Sequence, residues 1–392
     1  MALSPNSQLL VDALQAMTLL DGRFEKIKLA NFDSVANEKR GCFSLVFSAY
    51  DRVEGVPVAL KFYDINPVWL LNDYRRAAFR REHEILQVLL NKERCLQLAS
   101  ALSTYNFVIP IGAGPDITIP CEYFAVEWIE ADVDNYFYRQ ETFDAVDKLH
   151  LFNECTLAVE ALHRQEVFHR DLKPDNLRLQ QTALKRLVVA IDLGAAARSS
   201  SRHLQDEYYH SAGAPAYSAP EARCGLAGYR QLAPYTDCYA LGCLLFELFN
   251  RDFFYHALLA KNPRYEAIQA GMSSYLMGIR NEAEQFIEWK KALSKFSVGV
   301  EPVPIDGPGS TVPPGVASLL NEIVSSLTHV KFSNRPINLE WVRTRTWAAI
   351  KTLSNEKLYQ RRLASARQNR LRRIEKQRRK ADALHRLFTP KA

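Results

Sequence analysis

The segment His169-Arg170-Asp171-Leu172-Lys173-Pro174-Asp175-Asn176 is followed, sixteen residues after Asn176, by Asp192-Leu193-Gly194. The polar residues of these two stretches stand at spacings that phosphoryl transfer can use. Asp171 can accept the proton of an attacking hydroxyl, Lys173 can neutralise charge on a transferred phosphoryl group, and Asn176 with Asp192 offers hard oxygen ligands for Mg²⁺. Either fragment alone says little, because His-Arg-Asp arises by chance and Asp-Leu-Gly is an ordinary turn after a strand. Their order and spacing carry the reading.

Together the two stretches match the H-R-D-L-x-x-x-N and D-F-G pair. On these residues the sequence resembles the eukaryotic-type protein kinase family. Lys173, two residues after Asp171, resembles the Ser/Thr-specific form of the loop. The resemblance implies an α+β, two-lobed fold with a small β-rich lobe carrying one main helix and a larger, mostly helical lobe. It also implies ATP and Mg²⁺ as cofactors and Ser/Thr hydroxyls of proteins, including the chain's own, as acceptors.

The 392 residues suffice for two lobes and a short extension at each end, and a hydrophobic content of 47% suits a packed chain rather than a disordered one. No run of about 18 uncharged apolar residues is present, so no membrane span is expected. The start, Met1-Ala2-Leu3-Ser4-Pro5, has no basic segment ahead of an apolar core, which argues against a secretory leader. Seven cysteines form no C-x-x-C pair, so reduced thiols and a cytoplasmic setting are expected, and a zinc site is not. Charge is unevenly placed: residues 351–392 hold fourteen Lys/Arg against three Asp/Glu, a net of +11, while the whole chain is only +6.

Leu9, Leu10, Leu14, Met17 and Leu20 lie near helical spacing, which predicts a helix within 4–20 packed outside the first lobe. Phe43–Tyr50 and Val56–Phe62 read as a hairpin of strands. The first follows Lys39-Arg40-Gly41-Cys42-Phe43-Ser44-Leu45-Val46, similar to the phosphate-covering loop G-x-G-x-F-G-x-V, with Lys39 and Ser44 replacing its first and third glycines. The second ends Val58-Ala59-Leu60-Lys61, similar to V-A-I-K. By resemblance Lys61 holds the α- and β-phosphates and needs a carboxylate from the next helix, predicted over 73–91 with Phe79, Ile85, Leu86, Leu89 and Leu90 on its apolar side. Glu82 is chosen over Glu84, which points about 200° away around the helix.

The runs Phe107–Ile111 and Tyr123–Ile129 read as the last two strands of the small lobe, leading into the connector between lobes. The resemblance puts Val126 behind the adenine pocket, backbone groups of Glu127 and Ile129 on the adenine edge, Val46 and Ala59 over its face, and Gly41 and Ser44 near the phosphates. Arg178 replaces the usual aliphatic residue under adenine, where its stem can serve. A helical stripe of Leu149, Phe152, Cys155, Val159 and Leu162 delivers the chain to the first-quoted loop. Gly213-Ala214-Pro215-Ala216-Tyr217-Ser218-Ala219-Pro220-Glu221 matches the A-P-E end of an activation segment, with Ala214 where Ser/Thr kinases usually carry threonine. Ser199, Ser200, Ser201, Tyr208, Tyr209 and Ser211 offer hydroxyls whose phosphate Arg170 can receive. Asp237 opens an apolar helix and either caps it or, as the resemblance implies, holds the backbone of the loop around Asp171. Arg335 is expected to pair with Glu221. The loop Glu301–Gly315 suggests no chemistry.

These readings divide the chain into an N-terminal helical extension (1–24), a small lobe (25–130), a large lobe (131–349) and a basic helical tail (350–392). An alternative from another class is a kinase-fold scaffold that binds partners through the tail, favoured by the eroded glycine loop, Ala214 and Arg178. A kinase of small molecules ranks lower, because the A-P-E-like segment resembles a peptide-recognising lobe. The tail is a solvated basic helix or a surface for nucleic acid or an anionic surface. If it engages about six to ten phosphates, binding should weaken by roughly 10³–10⁵ between about 50 and 200 mM salt, and a flat titration would exclude that role.

Overall fold

The computed structural model describes residues 2–41, 44–70, 72–109, 115–139, 142–182, 185–199, 213–226 and 229–388. Helix α1 (Pro5–Ala16) begins at Ser4, whose hydroxyl oxygen accepts the Ser7 N–H at 3.1 Å. Five antiparallel strands follow: β1 (Phe24–Leu29), β2 (Ser44–Asp51), β3 (Val56–Tyr63), β4 (Ser103–Ile109) and β5 (Ile117–Glu127), in the order β1-β2-β3-β5-β4. Helix α2 (Asp73–Val88), capped by Asn72, lies between β3 and β4 in the chain.

Strand β3 is buried on both faces. Leu60 and Phe62 join the cluster that α1 covers, whereas Ala59 and Tyr63 face the core shared with Phe79 of α2. Period-two alternation places Lys61 on the second side, toward α2. On α1 the buried residues are Ser7, Leu10, Val11 and Leu14. Leu9, expected on the buried stripe, is 48% exposed. The helix ends at Ala16, so Met17 and Leu20 lie beyond it, and Leu20 instead bridges to Phe24. Leu90 is likewise exposed because α2 stops at Val88.

The second half of the chain is mainly helical. Helix α3 (Ala145–His163) buries the five stripe residues and precedes the hairpin β6 (Leu177–Gln181) and β7 (Arg186–Ala190). Helix α4 (Ala233–Phe249) is buried on every side from Thr236 to Phe249. Gly242 lets Leu327 and Thr328 pass close by: a Cβ there would lie 2.6 Å from Thr328 Cγ2. Around it come α5 (Phe254–Lys261), α6 (Tyr265–Met277), α7 (Glu282–Phe296), α8 (Ala317–Leu327) and α9 (Glu340–Phe388). The loop 301–315 closes the end of α4, with the Thr311 N–H donating to Phe249 O at 2.8 Å.

Helix α9 runs unbroken through residue 350. Its first turns bury Val342, Thr346, Ala349, Ile350 and Leu353, and Arg343 and Lys357 pair with Glu160 and Asp144 at the two ends of α3. Farther on, Leu371 and Ile374 are exposed. Among the described residues no helix is long and apolar enough to cross a membrane. The six described cysteines are buried and unpaired.

Glu221 and Arg335 form a bidentate ion pair, 2.5 and 3.1 Å, with neither side chain exposed. Removing one partner strands the other charge away from water. Arg335→Met is expected to lower stability by about 3–5 kcal/mol, measured as the loss in unfolding free energy in urea.

Candidate active site

The two short sequence motifs meet at a cleft of about 400 Å³ whose walls come from both halves of the molecule. Gly41, Ser44, Val46, Ala59 and Lys61 line it from the β-rich side, and Glu127 and Ile129 from the connector. Lys173, Asn176, Arg178 and Asp192 line it from the other. Cys42 and Phe43 lie outside the described residues.

Lys61 sits at the centre of a charged cluster. Its Nζ donates to Glu82 Oε1 and Oε2 at 2.6 and 2.8 Å and to Asp192 Oδ1 at 3.1 Å. Glu82 is buried within α2, and its Oε1 also accepts the Leu193 N–H at 3.0 Å, so helix α2 is tied to the Asp192-Leu193-Gly194 turn. Glu84 is exposed. Burial works against the Lys61 ammonium, but Asp192 and Glu82 outweigh it and raise its pKa. The same ammonium holds the Asp192 carboxyl below its ordinary value.

Asp171 is held by its neighbours. Its Oδ1 accepts the Ala214 N–H at 2.7 Å, its Oδ2 accepts Asn176 Nδ2 at 3.0 Å, and Lys173 Nζ is 3.8 Å away. Burial raises the Asp171 pKa against the pull of Lys173. Asn176 Nδ2 donates to Asp171 O as well, which leaves its Oδ1 as the oxygen available to a cation. The Ile191 N–H donates to Asn176 O, placing the residue before Asp192 beside Asn176.

The loop backbone is fixed from beneath. Asp237 accepts the N–H groups of His169 and Arg170 at 2.8 and 2.7 Å and His163 Nε2 at 2.9 Å. Because α4 begins at Ala233, Asp237 lies in its second turn and binds the loop rather than capping the helix. Arg170 is buried, and its Nε and Nη2 donate to Ala195 O. Ser200, Ser201, Tyr208, Tyr209 and Ser211 lie outside the described residues, and Ser199 donates to Glu166.

At the connector the Glu127 N–H donates to Gln97 O, and its carboxylate accepts the Gln97 N–H and Gln180 Nε2. Arg178 Nη1 folds back onto the carbonyls of Asp175 and Leu177. Leu96, Ile191 and Asn31 also line the cleft, and the sequence reading missed them. Asn31 stands in no motif or periodic pattern, and Leu96 reaches the cleft only through the packing of the loop after α2.

A protein kinase domain model matches residues 39–347. This chain belongs to the protein kinase family. Among curated proteins, the kinase domain is 27% identical over 212 residues to CBL-interacting protein kinase 28 of Oryza sativa subsp. japonica, covering 53% of this chain and 43% of that protein. It is 25% identical over 225 residues to the carbon catabolite-derepressing protein kinase of Saccharomyces cerevisiae, covering 57% and 31%. Serine/threonine-protein kinase PknD of Chlamydia muridarum matches over 139 residues at 32% identity, 30% of this chain and 14% of that protein. The alignments thus span less than half the length of these relatives.

Gly213 precedes the Ala214 N–H that meets Asp171. Its φ is +92°, and a Cβ there would stand 2.4 Å from Arg170 O. Gly213→Ala should therefore shift Asp171 and cut phosphoryl transfer on the order of 10²-fold, measured as initial rate beside the unfolding midpoint.

Proposed function

We propose that the chain is an ATP- and Mg²⁺-dependent protein kinase that transfers the γ-phosphoryl group to Ser/Thr hydroxyls of proteins, itself included. The observation that carries this reading is one cleft lined by Lys61, Asn176 and Asp192, with Glu82 bonded to Lys61 and Asp171 to Asn176 directly behind its walls. Apolar Val46, Ala59 and Val126 suit an adenine ring, and because the Glu127 N–H is engaged, pairing with the base falls to its carbonyl and to Ile129. The Arg178 stem serves below the ring. Gly41 and Ser44 flank the phosphates.

The donor set fits a hard cation: Asn176 offers Oδ1, and Asp192 offers a carboxylate held ionised by Lys61. These two residues would hold Mg²⁺, which would supply positive charge to offset that of the phosphates. Lys61, positioned by Glu82, binds the α- and β-phosphates. The substrate hydroxyl oxygen forms a bond to the γ-phosphorus as the bond to the β-γ bridging oxygen breaks, releasing ADP. Its proton passes to Asp171, whose two carboxylate oxygens each accept one N–H, from Ala214 at Oδ1 and from Asn176 at Oδ2, and each keep a further lone pair. Lys173 steadies charge on the moving group.

The proximity of Lys173 to Asp171 supports Ser/Thr over Tyr, as does the similarity to the serine/threonine-protein kinase PknD of Chlamydia muridarum. Unpaired buried cysteines suit a cytoplasmic setting.

Purified protein incubated with labelled ATP, Mg²⁺ and a basic protein substrate should incorporate phosphate on Ser/Thr, mapped by mass spectrometry. Asp171→Ala and Asp192→Asn should abolish it; persistence in either variant would reject the mechanism. Asp171 must be ionised to accept a proton, so the rate should fall as pH drops. Burial sets that acid limb above the ordinary carboxylate value of about 4, and a pH–rate profile at saturating ATP measures it.

A further inference from the structure

We propose that helix α1 is a positioning element for ATP, acting on the phosphate-side residues Lys39–Gly41 and Ser44–Val46 through a buried relay of Ser7, Asp64 and Lys39. This rests on the kinase reading and adds a control it does not contain. Lys39 occupies the place of the first glycine of the family loop. Its ammonium folds back onto Asp64 Oδ2, with the two side chains only 7% and 5% exposed. Asp64 directly follows β3, three residues after Lys61, and its Oδ1 accepts the Ser7 hydroxyl at 2.6 Å. Ser7 is itself fully buried, in the first turn of α1. Burial of Leu10, Val11 and Leu14 against the sheet holds that turn in place. One carboxylate therefore joins the N-terminal helix, the strand carrying Lys61 and the first residue of the loop.

Asn31 acts on the same residues from the other side. Its Nδ2 donates to Arg40 O at 2.8 Å and Ser44 O at 3.0 Å, and its Oδ1 accepts the Val46 N–H at 2.9 Å. Its own carbonyl accepts the Arg40 N–H. A glycine-rich loop approaches phosphates by conformational freedom, and fixing that freedom on binding costs entropy. With two of three glycines replaced, side-chain clamps supply the geometry before the nucleotide arrives. Preorganisation of this kind acts on binding rather than on the chemical step. Ser7, Asp64 and Asn31 are thus positioning residues for nucleotide affinity.

The test compares the full-length wild type with Ser7→Ala, Ser7→Thr and Asn31→Ala. Steady-state kinetics are run with ATP varied, Kd for Mg²⁺-ATP is measured directly, and amide exchange is followed at residues 38–41 and 44–46. Ser7→Ala should raise KM and Kd for ATP about five- to tenfold with kcat within about twofold, and speed exchange at those amides. Ser7→Thr, which keeps the hydroxyl, should restore both; Asn31→Ala should reproduce the Ser7→Ala pattern. A lowered unfolding midpoint with unchanged Kd and exchange, or equal impairment in Ser7→Ala and Ser7→Thr, would overturn the proposal. If wild type binds no Mg²⁺-ATP, the kinase reading fails, whereas the exchange comparison still decides the relay: unchanged exchange in Ser7→Ala refutes it.

Discussion

The Asp171 side of the cleft depends on one buried carboxylate. Asp237 stands on a helix with no solvent-facing side, where burial alone would raise its pKa. The His163 ring and two backbone N–H groups reverse that, so it stays charged with its oxygens filled. Those bonds hold Arg170 in a left-handed conformation, φ +62°, which a bulky residue adopts only when its surroundings impose it. The turn in the chain there presents Asp171 toward the cleft. His169 reinforces it, with Nε2 against Ile191 O and Nδ1 accepting the Asp171 N–H. The loop around Asp171 and the strand end before Asp192 are consequently one unit.

A second charged cluster joins that unit to the β-sheet. Lys61 spans strand, helix and turn, and its two carboxylate partners come from 21 and 131 residues later in the chain. A buried ammonium is tolerable only with both partners close, and Glu82 is in place only while α2 packs inward and meets the Leu193 N–H. Rotation of α2 away from the sheet would therefore break the Lys61 and Leu193 contacts together. The arrangement is all or nothing.

Much of this was legible in the sequence because the chemistry is crowded into contiguous motifs. His169 to Asn176 supplies a loop whose residues are neighbours by covalent connection, and helical spacing separates Glu82 from Glu84 by simple geometry. Periodicity failed where an element ends: Leu9 and Leu90 fit an apolar stripe by count, yet one lies on the far edge of α1 and the other past the end of α2. The start of α9 at Glu340 was hidden for a related reason, since its buried turns run without a break into the basic stretch. Asn31, Leu96 and Ser7 were illegible for a different cause. Ser7 matters through Asp64, 57 residues away, and Asn31 through backbone groups on the far side of a turn, and no local pattern distinguishes such an asparagine or serine from a surface one.

The departures from the family pattern are best understood by asking which atom the missing residue supplied. A threonine in place of Ala214 would offer a hydroxyl to Asp171, but here the backbone N–H of the same residue already reaches Oδ1 at 2.7 Å. An N–H cannot rotate away or accept a proton, so Asp171 gains a fixed donor and loses an adaptable one. Lys39 follows the same logic. A glycine there contributes freedom, whereas the lysine contributes an ammonium that Asp64 anchors, exchanging backbone freedom for an ion pair on the sheet side. At Arg178 the guanidinium is turned onto backbone carbonyls, so the long stem rather than the charge remains for the cleft. In each case backbone geometry or a buried partner takes over what a conserved-type side chain supplies elsewhere, which is why a chain with an eroded glycine loop still assembles the complete charged cluster.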